Sequence, residues 1–216
     1  MKRILALLGA LSLLALCGCA PQSAADYPVI EQENTDDMEL AEITDGEIRV
    51  QYPADEWLAD NGSNLLSFYD LNTIDGDYAV NVNVQRTGEC DTDPTRADME
   101  EVRKEIEETY PYITIQTCEL RSLGGRPVIY MESSVAFTEQ LIDDLVNSMD
   151  WGEDWVENVG GREALLALPR TNNVYVYAVR DGWLYLYTGA YSEESEIDTL
   201  LGVVSVLDQT IESVDA

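Results

Sequence analysis

Three turn dipeptides constrain the fold of this chain more than any other feature. Asp75-Gly76, Gly124-Gly125 and Asp181-Gly182 each stand between two apolar, strand-like runs. A two-residue hairpin of type I′ needs positive φ at both central positions, which Gly adopts freely and Asp tolerates. Each dipeptide therefore predicts an antiparallel hairpin, and three hairpins in one chain predict a sheet built mainly from local pairings.

Pairing outward from each turn assigns the faces. Around Asp75-Gly76, a two-residue loop puts Val80, Val82 and Val84 with Tyr69 and Leu71 on one face. It puts Asn81, Asn83 and Gln85 with Asp70 and Asn72 on the other. That pattern is core on one side and polar on the other. Around Asp181-Gly182, Tyr175, Tyr177 and Val179 share a face with Leu184 and Leu186. The reverse face carries Val174, Val176, Trp183, Tyr185 and Tyr187. With neither side polar, this hairpin is expected in the middle of the sheet, covered on both faces.

Helical periodicity appears in three places. Asp93-Pro94 reads as an N-cap with proline at the first helical position, leading into an apolar stripe of Met99, Val102, Ile106 and Tyr110. Thr138 opens a second stripe with Leu141, Leu145 and Met149. A long terminal helix from Ser192 carries Glu193, Glu194 and Glu196 in its first turn, where the helix dipole favours anions. It buries Ile197, Leu200, Leu201, Val204, Leu207 and Ile211. The fold class is α+β: an antiparallel sheet built from hairpins and flanked by helices on both faces, closed by a long C-terminal helix. A short echo links LGGRPVIYME, from Leu123, with VGGREALLAL, from Val159; both read as Gly-Gly-Arg leading into a strand-like run.

At the N-terminus, Lys2 and Arg3 precede the uncharged apolar run Ile4 to Leu16, which ends in Leu16-Cys17-Gly18-Cys19. A basic start, a short apolar core and a small residue before a cysteine make a lipoprotein export signal. Residues 1–18 are expected to be removed and Cys19 to be lipidated. Cys17 follows Leu16, a poor residue at a cleavage position. The run is also shorter than the roughly 20 residues that span a bilayer. Residues 19–45 are acidic, aromatic-poor and without sustained periodicity, so they read as a flexible tether, with a root-mean-square reach of about 25–30 Å. Residues 46–216 then form a single domain. The expected location is the outer face of the bacterial cytoplasmic membrane, or a periplasm-facing site if the source has an outer membrane.

Composition excludes several functions. The chain holds 42 acidic and 12 basic residues, for a formal net charge of −30. Nucleic-acid binding draws its affinity from Lys and Arg neutralising phosphates, so DNA and RNA are excluded as partners. The same charge opposes adsorption to anionic lipid, which leaves the lipid on Cys19 as the membrane contact. With no histidine in the sequence, Ser-His-Asp and Cys-His catalysis and His-ligated zinc are ruled out. Carboxylate, Lys, Tyr and carboxylate-metal chemistry remain open. Cys90 and Cys118 are an even pair in an exported chain and are expected to form a disulfide, the alternative being two small buried thiols.

The strand residues Ile48, Val50, Tyr52 and Pro53, the nearby Trp57, and the late hairpin at Asp181-Gly182 with WLYLYT resemble the PsbP-like superfamily. That superfamily includes extrinsic photosystem subunits, a eukaryotic Ran-binding protein and exported bacterial lipoproteins. The resemblance spans about 46 to 212, with 138–168 standing as an insertion. It implies an antiparallel sheet between helical layers and a binding role without catalysis, and it transfers no catalytic residues and no cofactor.

Candidate contact surfaces follow from residue type. Asn81, Asn83 and Gln85 form a polar sheet face. Trp151, Glu153, Asp154 and Trp155 place two indoles around two carboxylates, a set able to stack on a sugar or hold a cation, or simply to anchor a connection on the core. Asp70, Asp75 and Asp77 crowd one hairpin tip and are a calcium candidate, although Ile74 breaks the EF-hand ligand pattern. The expected function is a non-catalytic domain that binds an unidentified protein or small molecule at the membrane surface. The alternatives are a carboxylate-based hydrolase of cell-wall or dietary glycans and a calcium-dependent adhesion module. A hydrolase would require two acids converging in a cleft, at least one with a raised pKa.

Overall fold

The computed structural model describes residues 24–62, 65–75, 79–148 and 152–214. Its elements are β1 (Val29–Ile30), β2 (Leu40–Thr44), β3 (Ile48–Pro53), β4 (Trp57–Gly62), β5 (Leu65–Asp70) and β6 (Asn81–Glu89). After α1 (Arg96–Thr109) come β7 (Ile113–Leu123), β8 (Arg126–Val135), α2 (Glu139–Ser148), α3 (Gly152–Asn158) and α4 (Arg162–Leu166). The chain ends with β9 (Thr171–Arg180), β10 (Trp183–Tyr191), α5 (Ile197–Thr210) and β11 (Glu212–Ser213). An eight-stranded sheet runs β1-β7-β8-β9-β10-β6-β5-β4, and a three-stranded sheet runs β11-β3-β2. All described pairings are antiparallel except β1 with β7. The α+β class expected from the hairpins is the observed one.

Two of the three turns behave as their chemistry requires. Leu123 pairs with Arg126 across Gly124-Gly125, and Arg180 pairs with Trp183 across Asp181-Gly182. Asp181 and Gly182 have φ of 50° and 80°, the left-handed values that a two-residue turn of type I′ needs. The resulting β9–β10 hairpin lies at the centre of the sheet, with both of its faces buried.

The third turn does not set its register. Phe68 pairs with Val82 and Leu66 with Val84, so a two-residue loop at Asp75-Gly76 is excluded. The expected pairing is off by one residue, and a one-residue slip exchanges faces. Leu66 and Phe68, rather than Tyr69 and Leu71, share the buried face with Val80, Val82 and Val84. The longer loop is fastened by Asp70, whose Oδ1 accepts from Asn72 N at 2.8 Å and from Asn72 Nδ2 at 3.0 Å.

The large sheet has a helical layer on each side. On one face α5 and the small sheet cover Phe68, Val82, Tyr130, Val174, Val176, Tyr185 and Tyr187. Leu200 of α5 sits on Gly189, where a Cβ would lie 3.1 Å from Leu200 Cδ1, so glycine allows the close approach. On the other face Met99, Val102 and Ile106 of α1, with Leu141 and Leu145 of α2, cover Ile129, Met131, Tyr175, Tyr177, Leu184 and Leu186. Ile142, Val156 and Leu165 form a small separate core among α2, α3 and α4.

Several local expectations need correction. α1 is capped by Thr95 rather than Asp93: Thr95 and Asp98 form a reciprocal capping box, while Asp93 pairs with Arg126. Pro94 therefore precedes the cap. The second Gly-Gly-Arg of the sequence echo starts a helix, with Gly161 as the N-cap of α4, so its likeness to the first does not extend to structure. The turn before α5 is a 3-10 segment, Glu194–Glu196, in which Glu193 and Glu196 satisfy each other's backbone groups. Met149 lies outside the described residues.

The segment expected to be a tether is, from residue 24 onward, part of the domain. Val29 and Ile30 pair with Ser122 and Leu123, Ile30 is 2% exposed, and β2 pairs along the length of β3. Its acidity is compatible with folding because a few apolar residues, Ile30 and Ile43 among them, reach the core while the charges stay in water.

Candidate functional site

Cross-strand partners in a sheet share a face, so the registers determine what surrounds the predicted polar residues. One row runs Ser67, Asn83, Thr188, Tyr175, Met131, Cys118. The next runs Tyr69, Asn81, Ala190, Asn173, Ser133, Ile115. Both lie on the face covered by α1 and α2. That face is therefore divided: apolar where the helices cover it, and polar at β5 and β6 and onward through Thr188 of β10, Asn173 of β9 and Ser133 of β8.

The predicted contact residues are not equivalent within this strip. Asn83 is buried; its Oδ1 accepts from Ser67 Oγ at 2.7 Å and its Nδ2 donates to Asn81 Oδ1 at 3.2 Å. Asn81 passes the chain on, donating to Ala79 O at 3.1 Å. Asn83 is thus a structural link, and the half-exposed members are Asn81, Gln85 and Tyr69. Ser67, Thr188 and Asn173 join the strip although sequence reading missed them. The signal that would have revealed Ser67 is the β5–β6 register, which the long loop conceals, whereas Thr188 and Asn173 join through the β6–β10 pairing, a long-range contact that no local pattern reports.

The second predicted surface, the tryptophan segment, is a short helix. Trp155 is half-buried between the α1–α2 layer and the small core of α2 to α4, which makes it an anchor, while Asp154 is exposed. Trp151 lies outside the described residues, and Glu153 falls within α3. Because Trp155 packs into the layer on the polar strip's side of the sheet, the structure brings these two sequence-distant regions to one face.

The remaining candidates are dispersed. Asp70 is buried and occupied by Asn72, Asp75 is exposed, and Asp77 lies outside the described residues. Among the described residues no group of three or more acidic or cysteine side chains could hold a metal ion. Cys90 and Cys118 are free thiols, contrary to the expected disulfide. Cys90 Sγ donates to Thr92 O at 3.4 Å, Cys118 Sγ lies 4.0 Å from Met99 O, and both sulfurs pack against the α1 layer as small apolar groups. Burial pushes the Cys118 thiol up to about 11, the Arg103 charge pulling the other way, so it is poorly suited to nucleophilic work.

A carboxyl with a raised pKa does exist, and it is not in this strip. Burial pushes Asp208 upward against the opposing pull of Arg180. Its partners are Arg180, at 2.6 Å, and Tyr187, at 3.3 Å, so it serves as an internal joint rather than one of two acids facing a cleft.

No protein-family model matches the chain, and neither does any curated protein sequence. Solved structures do. The chain is similar to cyanobacterial PsbP (CyanoP) from Synechocystis sp. PCC 6803, with 14% identity and a TM-score of 0.44 over 94% of this chain and 99% of that one. It is similar to the Saccharomyces cerevisiae Ran-binding protein Mog1p at 5% identity and a TM-score of 0.43, covering 82% of this chain and 97% of the other. It is also similar to LpqN, involved in cell envelope biogenesis of Mycobacterium tuberculosis, at 13% identity and a TM-score of 0.42, covering 83% and 93%. At these values the likeness lies in the outline of the fold.

Proposed function

We propose that this chain is a lipid-anchored extracytoplasmic domain, held through Cys19, that binds a partner without catalysing a reaction. The observation that carries this reading is the divided sheet face: Asn81, Gln85 and Tyr69 form a half-exposed polar strip beside an apolar layer, with exposed Asp154 on the helix that Trp155 fixes over the same side. Amide and phenol groups on a rigid sheet suit recognition, because the backbone positions them without loop ordering. The absence of histidine from the sequence supports a non-catalytic role, as does the sealed environment of Asp208. Among the described residues no helix is long and apolar enough to cross a membrane, so Cys19 is the anchor this reading requires.

The test is a photo-crosslinking residue placed in the full-length protein in cells, at Gln85 and separately at Glu101 on the exposed side of α1. A discrete adduct at Gln85 that is lost in Asn81→Ala, with none at Glu101, is the expected result. Equal labelling at both positions would overturn the assignment of the strip. Cys19→Ser should release the protein from membranes, and retention would overturn the anchor.

A further inference from the structure

Residues 24–45 do not hang free between Cys19 and the domain but fold onto it, β1 pairing with β7 and β2 with β3. From Tyr27 onward the chain is fastened to the domain. Tyr27 packs against the α1 layer, Ser122 N donates to Pro28 O at 2.8 Å, and Ile30 enters the core. Beyond it, Glu33 N donates to Ser205 Oγ at 3.0 Å, and Gln209 Nε2 donates to Glu33 O at 3.2 Å. The segment is a strap laid across the β7–β8 end of the sheet and over α5.

Only Ala20 to Ser23 separate Cys19 from the 3-10 turn Ala24–Asp26. Fully extended, the five steps from Cys19 to Ala24 span at most about 18 Å. We infer that the β1–β7 edge is the membrane-proximal side of this domain, held within that short distance of the bilayer, while the polar strip on β5 and β6 stands outward. The occupant of this edge is the lipid surface itself.

Three features of the edge agree with this placement. β1 is the outer strand of the large sheet and contributes only two residues, so the edge has little open backbone with which to recruit another strand. Val29, on that strand, is 62% exposed. In addition, β1 and β5 are six strands apart in the sheet order, which at ~4.8 Å per strand puts the polar strip about 29 Å from the anchored edge. A long free tether would erase this polarity, whereas a short strap preserves it. Without Lys2 and Arg3 of the removed segment the chain carries 10 basic and 42 acidic residues, a net charge of −32, and the short strap also opposes electrostatic lift from an anionic bilayer.

This inference rests on the lipidation of Cys19, and the experiment separates the two. The full-length lipidated protein is placed in phosphatidylcholine vesicles containing phosphatidylglycerol and a headgroup acceptor dye. A fluorescent amino acid is introduced at Glu31 or at Asn72, both exposed. Energy transfer should be several-fold stronger from position 31 than from position 72. Insertion of twenty Gly/Ser residues after Ser23, adding a root-mean-square reach of roughly 22–27 Å, should abolish most of that difference. Equal transfer from both positions in vesicle-bound protein, or transfer unchanged by the insertion, would overturn the inference alone. Protein that floats free of the vesicles with Cys19 unmodified would overturn the anchor and the inference together.

Discussion

Arg180 Nη2 donates to Asp208 Oδ2 at 2.6 Å, and Arg180 Nε reaches the same oxygen at 3.1 Å. The two side chains are 12% and 3% exposed. Arg180 Nη2 also donates to Leu123 O at 3.2 Å, and Tyr187 hydroxyl donates to Asp208 Oδ1 at 3.3 Å. One ion pair therefore fastens the central hairpin, the end of β7 and the terminal helix together. These are elements that the chain makes far apart in sequence.

Breaking this pair from one side should be costly, because it leaves a guanidinium in a nearly dry site. Asp208→Ala is expected to lose about 3–5 kcal/mol of stability. The double variant Arg180→Met with Asp208→Leu should recover most of that loss, since neither charge remains to be solvated. Urea denaturation of the three proteins checks the ordering, and a double variant less stable than Asp208→Ala would refute it.

The strap gives a second prediction. Ile30 is 2% exposed beside Leu123, so Ile30→Ala should cost about 2–5 kcal/mol, the range for a truncated core aliphatic. A chain begun at residue 46 lacks β1 and β2 and should unfold at a lower urea concentration than one begun at residue 24. Equal midpoints would mean that residues 24–45 add nothing to the fold.

The way these elements were legible in the sequence, or were not, follows from the range of the interactions that specify them. Gly124-Gly125 and Asp181-Gly182 set their hairpins because the turn conformation itself fixes the register. Asp75-Gly76 does not, because the alternation of Val80 to Gln85 says which residues share a face but not how many residues the loop takes up. The strap was invisible for a different reason: its fastening runs through Glu33 and Ser205, 172 residues apart, and no local pattern reports a contact of that span. Of the candidate site, residue alternation put Asn81, Asn83 and Gln85 on one face of β6, and Asn81 and Gln85 are half-exposed there. It could not show that Asn83, in the same alternation, is enclosed by Ser67 and Asn81, because that depends on the shifted register.

Two substitutions of unequal expected cost test the capping assignment. Thr95 Oγ1 accepts from Asp98 N, and Asp98 Oδ2 accepts from Thr95 N at 2.7 Å, so Thr95→Ala should cost about 0.5–2 kcal/mol. Asp93→Ala removes a partly exposed ion pair with Arg126 and should cost no more than about 1 kcal/mol. Thermal melts of both variants check the order, and the reverse order would restore Asp93 as the cap.

The buried tyrosines make stability depend on alkaline pH. Burial pushes Tyr175 up to about 12 and raises Tyr187 well above its ordinary value. An unfolded chain releases these phenolic protons near pH 10, whereas the folded protein holds them to higher pH. The unfolded state therefore binds fewer protons in this window, and linkage requires stability to fall as pH rises. The contribution is fully present below about pH 10 and is lost progressively toward the folded-state values. Urea midpoints should decline across that range. In native protein, the phenolate absorbance of this buried set should appear only together with loss of the circular-dichroism signal. A full phenolate signal near pH 10 from protein that is still folded would show that Tyr175 and Tyr187 are open to water, and that the two helical layers do not seal the central hairpin.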